Sequence, residues 1–120
     1  MLEIGSFAEV ARDERRVIYE CNGPDFSVQR FEVAAAIPLG NHYHTRRVET
    51  FVITKGGGKL FTRDVDWTDP PVERPVKAGD VVRMPVRTSH TFVLEPGSEM
   101  LCLSSIRFDP QDMDMVRDIL

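Results

Sequence analysis

The sequence of 120 residues lacks the features that direct a protein to a membrane or to an oxidising compartment. No apolar run approaches the roughly 20 residues of a membrane-spanning helix. The first residues also lack the charged and apolar regions of a signal peptide, so we expect a cytoplasmic protein that does not bind membranes. The two cysteines, Cys21 and Cys102, lie far apart and form no CxxC pair. Both are therefore expected to be reduced thiols.

An excess of basic charge is missing as well. The 15 basic residues stand against 19 acidic ones, for a formal net charge of -4, and they are spread along the chain. No basic face is therefore available to bind nucleic acid or an anionic lipid surface. The length suits a single domain with one hydrophobic core. We expect residues 1–120 to form that domain and to bind a small-molecule substrate.

Short apolar runs separated by turn signals make up most of the chain. They cover residues 26–36, 50–54, 59–62, 81–84, 91–94 and 100–106. Glycine and proline cluster between them, where glycine supplies unusual backbone angles and proline interrupts a ladder. Many short strands at this spacing indicate an antiparallel sandwich or barrel. Residues 62–75 are interpreted as a long polar crossover, while residues 7–16 suit either a strand or a short helix.

The C-terminal tail is the one segment with a helical pattern. Asp109 can cap a helix, and Pro110 suits its first turn. Met113, Val116 and Ile119 then recur at intervals of three along one face. The sequence therefore predicts a short C-terminal helix that closes one end of the barrel.

All three histidines fall into one pattern with a carboxylate. His42 and His44 flank a single residue, Glu49 follows, and His90 lies further downstream. Imidazole and carboxylate together suit iron, manganese, nickel, copper and zinc, whereas three imidazoles are unattractive to magnesium or calcium. These four residues are therefore the candidate ligands of one divalent transition metal.

Strand geometry indicates how the four side chains can meet. His42 and His44 are two residues apart and would face the same side of a strand. Glu49 lies at an odd offset from His44, so the strand must break between them, and the polar residues 45–47 suit that turn. Glu49 would then open a neighbouring strand. His90 would come from a later strand and cross the barrel to complete the site.

The same residues resemble the two sequence motifs of the cupin superfamily. Residues 40–56, which run from Gly40 through the histidine pair to Glu49 and Gly56, are similar to the first motif. Residues 79–94 are similar to the second motif. The resemblance implies an all-β double-stranded β-helix, also called a jelly-roll barrel. It also places all four family metal positions on residues of this chain, namely His42, His44, Glu49 and His90.

The second motif departs from the family pattern at two positions. Arg87 stands where a glycine is usual, and Leu94 stands where asparagine is common. Neither position is one of the four metal positions. We expect the Arg87 substitution to affect turn geometry more than metal ligation.

Residues 40–75 resemble a narrower group of cupins that accompany nucleotide-sugar metabolism. The resemblance implies an isomerase or epimerase that moves a proton next to a carbonyl on a sugar or other small polar substrate. An iron-dependent dioxygenase and a non-catalytic ligand-binding cupin are the alternatives. Because a small barrel with sheet edges often pairs with a copy of itself, we also expect a homodimer.

The number of histidines separates two mechanisms. If all three bind metal, none is free to act as acid or base, and proton transfer falls to another group. If no metal binds, His42 or His44 becomes the natural acid or base. Arg46 and Arg47 lie in the turn beside the proposed metal, where a planar guanidinium can bind a substrate phosphate or carboxylate.

Overall fold

The computed structural model describes residues 1–107, 109 and 111–120, and these residues form two antiparallel β-sheets. The strands are β1 (Ala8–Arg12), β2 (Arg16–Asn22), β3 (Ser27–Val33), β4 (Leu39–Tyr43), β5 (Glu49–Lys55), β6 (Gly57–Asp64), β7 (Val72–Lys77), β8 (Val81–Met84), β9 (Thr88–Leu94), β10 (Glu99–Ser104) and β11 (Val116–Arg117). One sheet has the order β1-β2-β3-β10-β5-β8, and the other has the order β11-β4-β9-β6-β7. The predicted all-β architecture is confirmed.

Alternating side chains build the core between the two sheets. In β5, Glu49, Phe51 and Ile53 are buried, while the residues between them are partly exposed. Phe92 and Leu94 do the same in β9. Fully burying one such apolar side chain contributes about 1.5–3 kcal/mol, so the two facing sheets stabilise each other through these rows.

The six predicted strands match β3, β5, β6, β8, β9 and β10, and the bounds of β8 agree fully. The predicted crossover at residues 62–75 is wrong, because β6 continues to Asp64 and Val72–Lys77 form β7, which pairs with β6. Only residues 65–71 connect the two strands. The undecided N-terminal segment contains β1, which pairs with β2.

The predicted C-terminal helix is wrong. Val116–Arg117 form β11 and pair with Tyr43 and His42 at the edge of the second sheet. Asp114 has a φ of 48°, which a right-handed helix does not accommodate. The tail instead pairs with the unpaired backbone groups at the edge of β4, which the helical spacing of its apolar residues does not indicate. Pro110, the proposed first-turn residue, lies outside the described residues.

Side-chain bonds hold this tail on the barrel. The Asp118 carboxylate accepts hydrogen bonds from Ser89 Oγ and from Arg63 at 2.9 Å. The Asp118 amide donates to the Asn41 carbonyl at 2.8 Å. The tail thereby passes over the end of β4 that carries the histidine pair. None of the described residues belongs to a helix long and apolar enough to cross a membrane.

Candidate metal centre

The four candidate ligands come from both sheets and meet at one end of the barrel. His42 on β4 and His90 on β9 are direct cross-strand partners, and His44 follows the end of β4. Glu49 is the first residue of β5 in the facing sheet, after the turn predicted at residues 45–47. The expectation that His90 crosses the barrel is therefore wrong. Glu49 is the ligand that faces the imidazoles from the opposite sheet.

The ligand atoms of this group lie within 4.8 Å of one another. Glu49 Oε1 is 2.7 Å from His44 Nε2 and 3.6 Å from His90 Nε2. For ligands about 2.1 Å from one ion, neighbouring atoms are about 3.0 Å apart and opposite atoms about 4.2 Å apart in an octahedron. The two Glu49 distances are close to this range, so the cluster is compact enough to close around a single ion.

Two buried ligand atoms are orphaned. His44 Nε2 and Glu49 Oε1 lie at contact distance, yet neither has a hydrogen-bond partner among the described residues. An unsatisfied buried polar group costs about 1–3 kcal/mol. A divalent cation between the two atoms would satisfy both. The donor set and these orphaned atoms therefore fit a transition metal.

Hydrogen bonds outside the cluster orient two of the imidazoles. His44 Nδ1 donates to the Asp114 carbonyl at 2.5 Å, and His90 Nδ1 donates to the Thr88 carbonyl at 3.1 Å. A carbonyl only accepts, so each Nδ1 carries the proton and each Nε2 presents its lone pair to the centre. This is the usual arrangement for imidazole ligands of a metal.

A buried thiol orients the carboxylate in a similar way. Cys102 Sγ donates to Glu49 Oε2 at 3.1 Å, which leaves Oε1 directed at the imidazoles. Burial, together with the adjacent Glu49, raises the pKa of the Cys102 thiol well above its ordinary value. The thiol therefore keeps its proton as a hydrogen-bond donor.

The electrostatics of the cluster favour neutral His42 and His90 beside an ionised Glu49, whereas His44 differs. Burial lowers the pKa of His42 to about 3, and the neighbouring histidines add to this effect. Burial also lowers the pKa of His90. For His44, burial is outweighed by Glu49, and its pKa is raised. Burial opposes ionisation of Glu49, but contact with His44 and His90 lowers its pKa to about 2.

The turn before Glu49 is organised by one distant residue that the sequence did not indicate. The Asp114 carboxylate accepts the backbone N–H groups of Thr45, Arg46 and Arg47 at 3.0, 2.7 and 2.8 Å. This one carboxylate thereby satisfies three consecutive backbone amides of the turn. Asp114 thus fixes both the turn that carries the predicted arginines and the ring of His44.

The two predicted substrate-binding arginines occupy different environments. The Arg46 side chain is 54% exposed and bonds Asp112 at 2.6 Å. Arg47 is buried and lines the cavity above the metal cluster. Of the two, Arg47 is the one whose position brings it to the proposed metal.

The motif positions are explained by backbone geometry. Gly40 has a φ of 114°, and a Cβ there would lie 2.6 Å from the His90 carbonyl oxygen, so only glycine fits. Arg87, at the usual glycine position, has a φ of 58°, and its N–H donates to the His44 carbonyl at 2.7 Å. Arg87 therefore adopts the left-handed conformation that favours glycine, and its effect on turn geometry stays a prediction. Leu94 is fully buried in the apolar core.

A cavity of about 390 Å³ opens from the metal cluster toward β2 and β3. Ile18 and Phe31 supply its apolar wall, and Arg16, Glu20 and Gln29 supply polar groups. Sequence reasoning missed these three polar residues. For the two residues on β2, the signal was the alternation of Arg16, Ile18 and Glu20. The intervening residues Val17, Tyr19 and Cys21 form an equally apolar face, so the pattern did not show which face points inward.

No protein-family model and no curated protein matches the sequence, whereas solved structures do match. The capsular polysaccharide assembling protein CapF from Staphylococcus aureus matches 96% of this chain at 25% identity, with a TM-score of 0.78. The chain spans only 35% of that CapF chain.

Two shorter proteins also match. KdgF from Halomonas sp. is 19% identical over 89% of this chain and 93% of its own, with a TM-score of 0.69. PAC13 from Streptomyces, solved with uridine, is 19% identical over 92% of this chain and 85% of its own, with a TM-score of 0.65. Together with the two antiparallel sheets, these matches define the class: the chain has the cupin fold. Within this fold, His42, His44, Glu49 and His90 form a cluster suited to a metal ion.

Proposed function

We propose that this cupin is a metal-dependent isomerase or epimerase that moves a proton next to the carbonyl of a sugar or other small polar substrate. The observation that carries the proposal is the convergence of four donors, two of them orphaned, at the inner end of an open cavity. Four protein ligands around an octahedral ion leave two positions for substrate or water. A purely structural ion would be closed off by protein ligands.

The chemistry of the cluster suits this reaction. A divalent iron, manganese, nickel, copper or zinc ion held by His42, His44, Glu49 and His90 would supply Lewis-acid polarisation of a carbonyl oxygen. The protein itself binds and orients the substrate. Ile18 and Phe31 exclude water from one side of the cavity, and Arg47, which also lines it, would bind a phosphate or carboxylate of the substrate through its guanidinium.

The volume of the cavity and two of the matching structures support a sugar as the substrate. Its volume of about 390 Å³ is within the roughly 300–1,000 Å³ range of small-molecule sites. Among the matching structures, CapF takes part in capsular polysaccharide assembly, and PAC13 was solved with uridine. A nucleotide-linked keto sugar combines the carbonyl with an anion for Arg47. We further propose a cytoplasmic homodimer, in which exposed Val81 and Leu103 of the outer sheet face would be covered.

Deuterium exchange tests the proposal. The metal-loaded protein is incubated with a panel of nucleotide-linked keto sugars in deuterated water, and the products are analysed by mass spectrometry and NMR. We expect deuterium at a carbon next to the carbonyl, loss of exchange on chelation, and its recovery when metal is returned. The His44→Ala variant serves as the control without a complete ligand set.

Each alternative has its own result in the same experiment. Oxygen uptake with substrate oxidation would indicate a dioxygenase. Binding of a panel member without exchange or turnover would indicate a ligand-binding cupin. Either result would contradict the proposed isomerase or epimerase activity.

A further inference from the structure

Charged residues face the interior on one wall of the metal cavity. In β2, Arg16, Ile18 and Glu20 alternate toward the cavity. Inward charges are sometimes found on edge strands, where they discourage pairing with another chain. That explanation does not apply here, because β2 lies between β1 and β3 within its sheet. Arg16 is ion-paired with Asp13 at 3.0 Å, so the inward charge that requires a functional explanation is that of Glu20.

Strand register places Glu20 at a defined distance from the metal cluster. Glu20 pairs with Gln29 on β3, and Gln29 pairs with Cys102 on β10. Cys102 contacts the Glu49 carboxylate. Adjacent strands are about 4.8 Å apart, so Glu20 lies about 10 Å along this row from Cys102. Glu20 and the cluster therefore line the same cavity about two strand spacings apart.

The Glu20 carboxylate is held in position. Gln29 Nε2 donates to Glu20 Oε1 at 2.9 Å, which fixes the side chain against the cavity wall. A general base must be positioned by its neighbours in this way before it can reach a substrate proton efficiently.

Chemistry leaves few other candidates for the base. Among the described residues that line the cavity, the carboxylates are Glu20 and Glu49, and no tyrosine is present. The three histidines and Glu49 form the metal cluster. The arginines of the wall stay protonated and cannot accept a proton.

We infer that Glu20 is the general base of the reaction, an inference that rests on the proposed function. The Glu20 carboxylate takes the proton from the carbon next to the substrate carbonyl. The electron pair of the broken C–H bond forms a carbon–carbon double bond, and the carbonyl oxygen takes the negative charge. The proton of the hydroxyl on the carbon that lost its hydrogen then passes to the former carbonyl oxygen. Glu20 delivers its proton to the former carbonyl carbon, which moves the carbonyl by one carbon and regenerates the carboxylate.

The test compares Glu20→Gln with Glu32→Gln in the deuterium-exchange assay. Glu32 lies on β3 beside Phe31 but on the opposite face of the strand, so its replacement serves as a matched control. Loss of a general base lowers rates by about 10²–10⁴-fold. We expect such a loss for Glu20→Gln, with wild-type metal content, melting temperature and substrate affinity by calorimetry. Glu32→Gln should exchange at the wild-type rate.

A second variant covers the case in which Glu20→Gln does not fold. Glu20→Ala removes the carboxylate and leaves space for a small acid, so added formate should restore part of the exchange. Exchange at the wild-type rate in Glu20→Gln, or a folded Glu20→Ala that formate does not rescue, would overturn the role of Glu20 alone. Absence of exchange in the wild-type protein across the panel would overturn the proposed function and this inference together.

Discussion

The backbone carbonyl of Asp114 accepts a hydrogen bond from His44 Nδ1 at 2.5 Å, and the carboxylate of the same residue closes the turn that follows His44. The C-terminal tail therefore contributes directly to the metal cluster. It sets the tautomer of one ligand and the path of the chain toward Glu49. Removal of the Asp114 side chain should disturb both stability and metal binding.

Asp114→Ala should lower the free energy of unfolding by about 2–3 kcal/mol, because three backbone N–H groups lose a charged acceptor. Metal affinity should fall roughly tenfold, as is common when groups that orient the ligands are lost. Urea unfolding and competition with a metal chelator measure the two effects. Asp112→Ala is the control, since that side chain is 59% exposed. Equal stability of the two variants would contradict the role assigned to Asp114.

Asp118 should make stability depend on pH. The hydrogen bonds that the Asp118 carboxylate accepts from Ser89 and Arg63 lower its pKa below the ordinary value. The resulting stabilisation is fully present above the unfolded pKa of about 3.9 and is lost as pH falls through the lower folded value. Asp118→Asn should be roughly 1 kcal/mol less stable than wild type at neutral pH, and the gap should close as the solution is acidified.

Urea unfolding across that acidic range checks the Asp118 prediction. Asp25→Asn, at an exposed position, is the control and should follow the wild-type curve. A gap between wild type and Asp118→Asn that stays constant with pH would show that the carboxylate charge is not involved.

Arg87 should be more stable as glycine than as alanine. The left-handed φ of 58° costs a non-glycine residue about 1–2 kcal/mol, which glycine avoids. Both variants lose the exposed ion pair with Asp66, so this loss cancels when the two are compared. We expect Arg87→Gly to exceed Arg87→Ala by about 1 kcal/mol in denaturant unfolding. If Arg87→Ala were more stable than Arg87→Gly, the claim that position 87 is strained would be wrong.

Cys102 should influence metal affinity through Glu49. Cys102→Val removes the donor to Oε2 and should weaken metal binding by roughly tenfold. Cys102→Ser keeps a hydroxyl donor and should retain most of the affinity. Chelator competition compares them, with Cys21→Ser as the control at an exposed cysteine. Serine and valine variants of equal affinity would show that the thiol does not orient the carboxylate.

The local sequence pattern was enough to predict the turn before Glu49 and the start of β5. The odd offset between His44 and Glu49 required a turn, and β5 begins at Glu49 because its alternate residues are apolar. The position of His90 was harder to derive. The cross-strand pairing of His42 with His90 depends on the order of the strands in the sheet. The local sequence pattern does not indicate which strands are neighbours.

The remaining features depend on contacts between distant residues. Asp114 lies 67 positions from Arg47, and no local signal links an acidic residue in the tail to that turn. The tail's spacing of three apolar residues resembles a helix, but its backbone pairs with β4 instead. Glu20 was missed because both faces of β2 contain apolar residues, which hides the strand's inward direction.

Metal analysis of freshly purified protein by inductively coupled plasma mass spectrometry tests the central claim, a single metal ion held by His42, His44, Glu49 and His90. The account predicts stoichiometric iron, manganese, nickel, copper or zinc in the wild-type protein, and loss of that metal in His44→Ala, with Tyr43→Phe unchanged. Metal should also raise the melting temperature of wild type alone, because an ion that binds only the folded state stabilises it. A metal-free wild type that does not take up these ions, or a His44→Ala variant that retains them, would contradict the account.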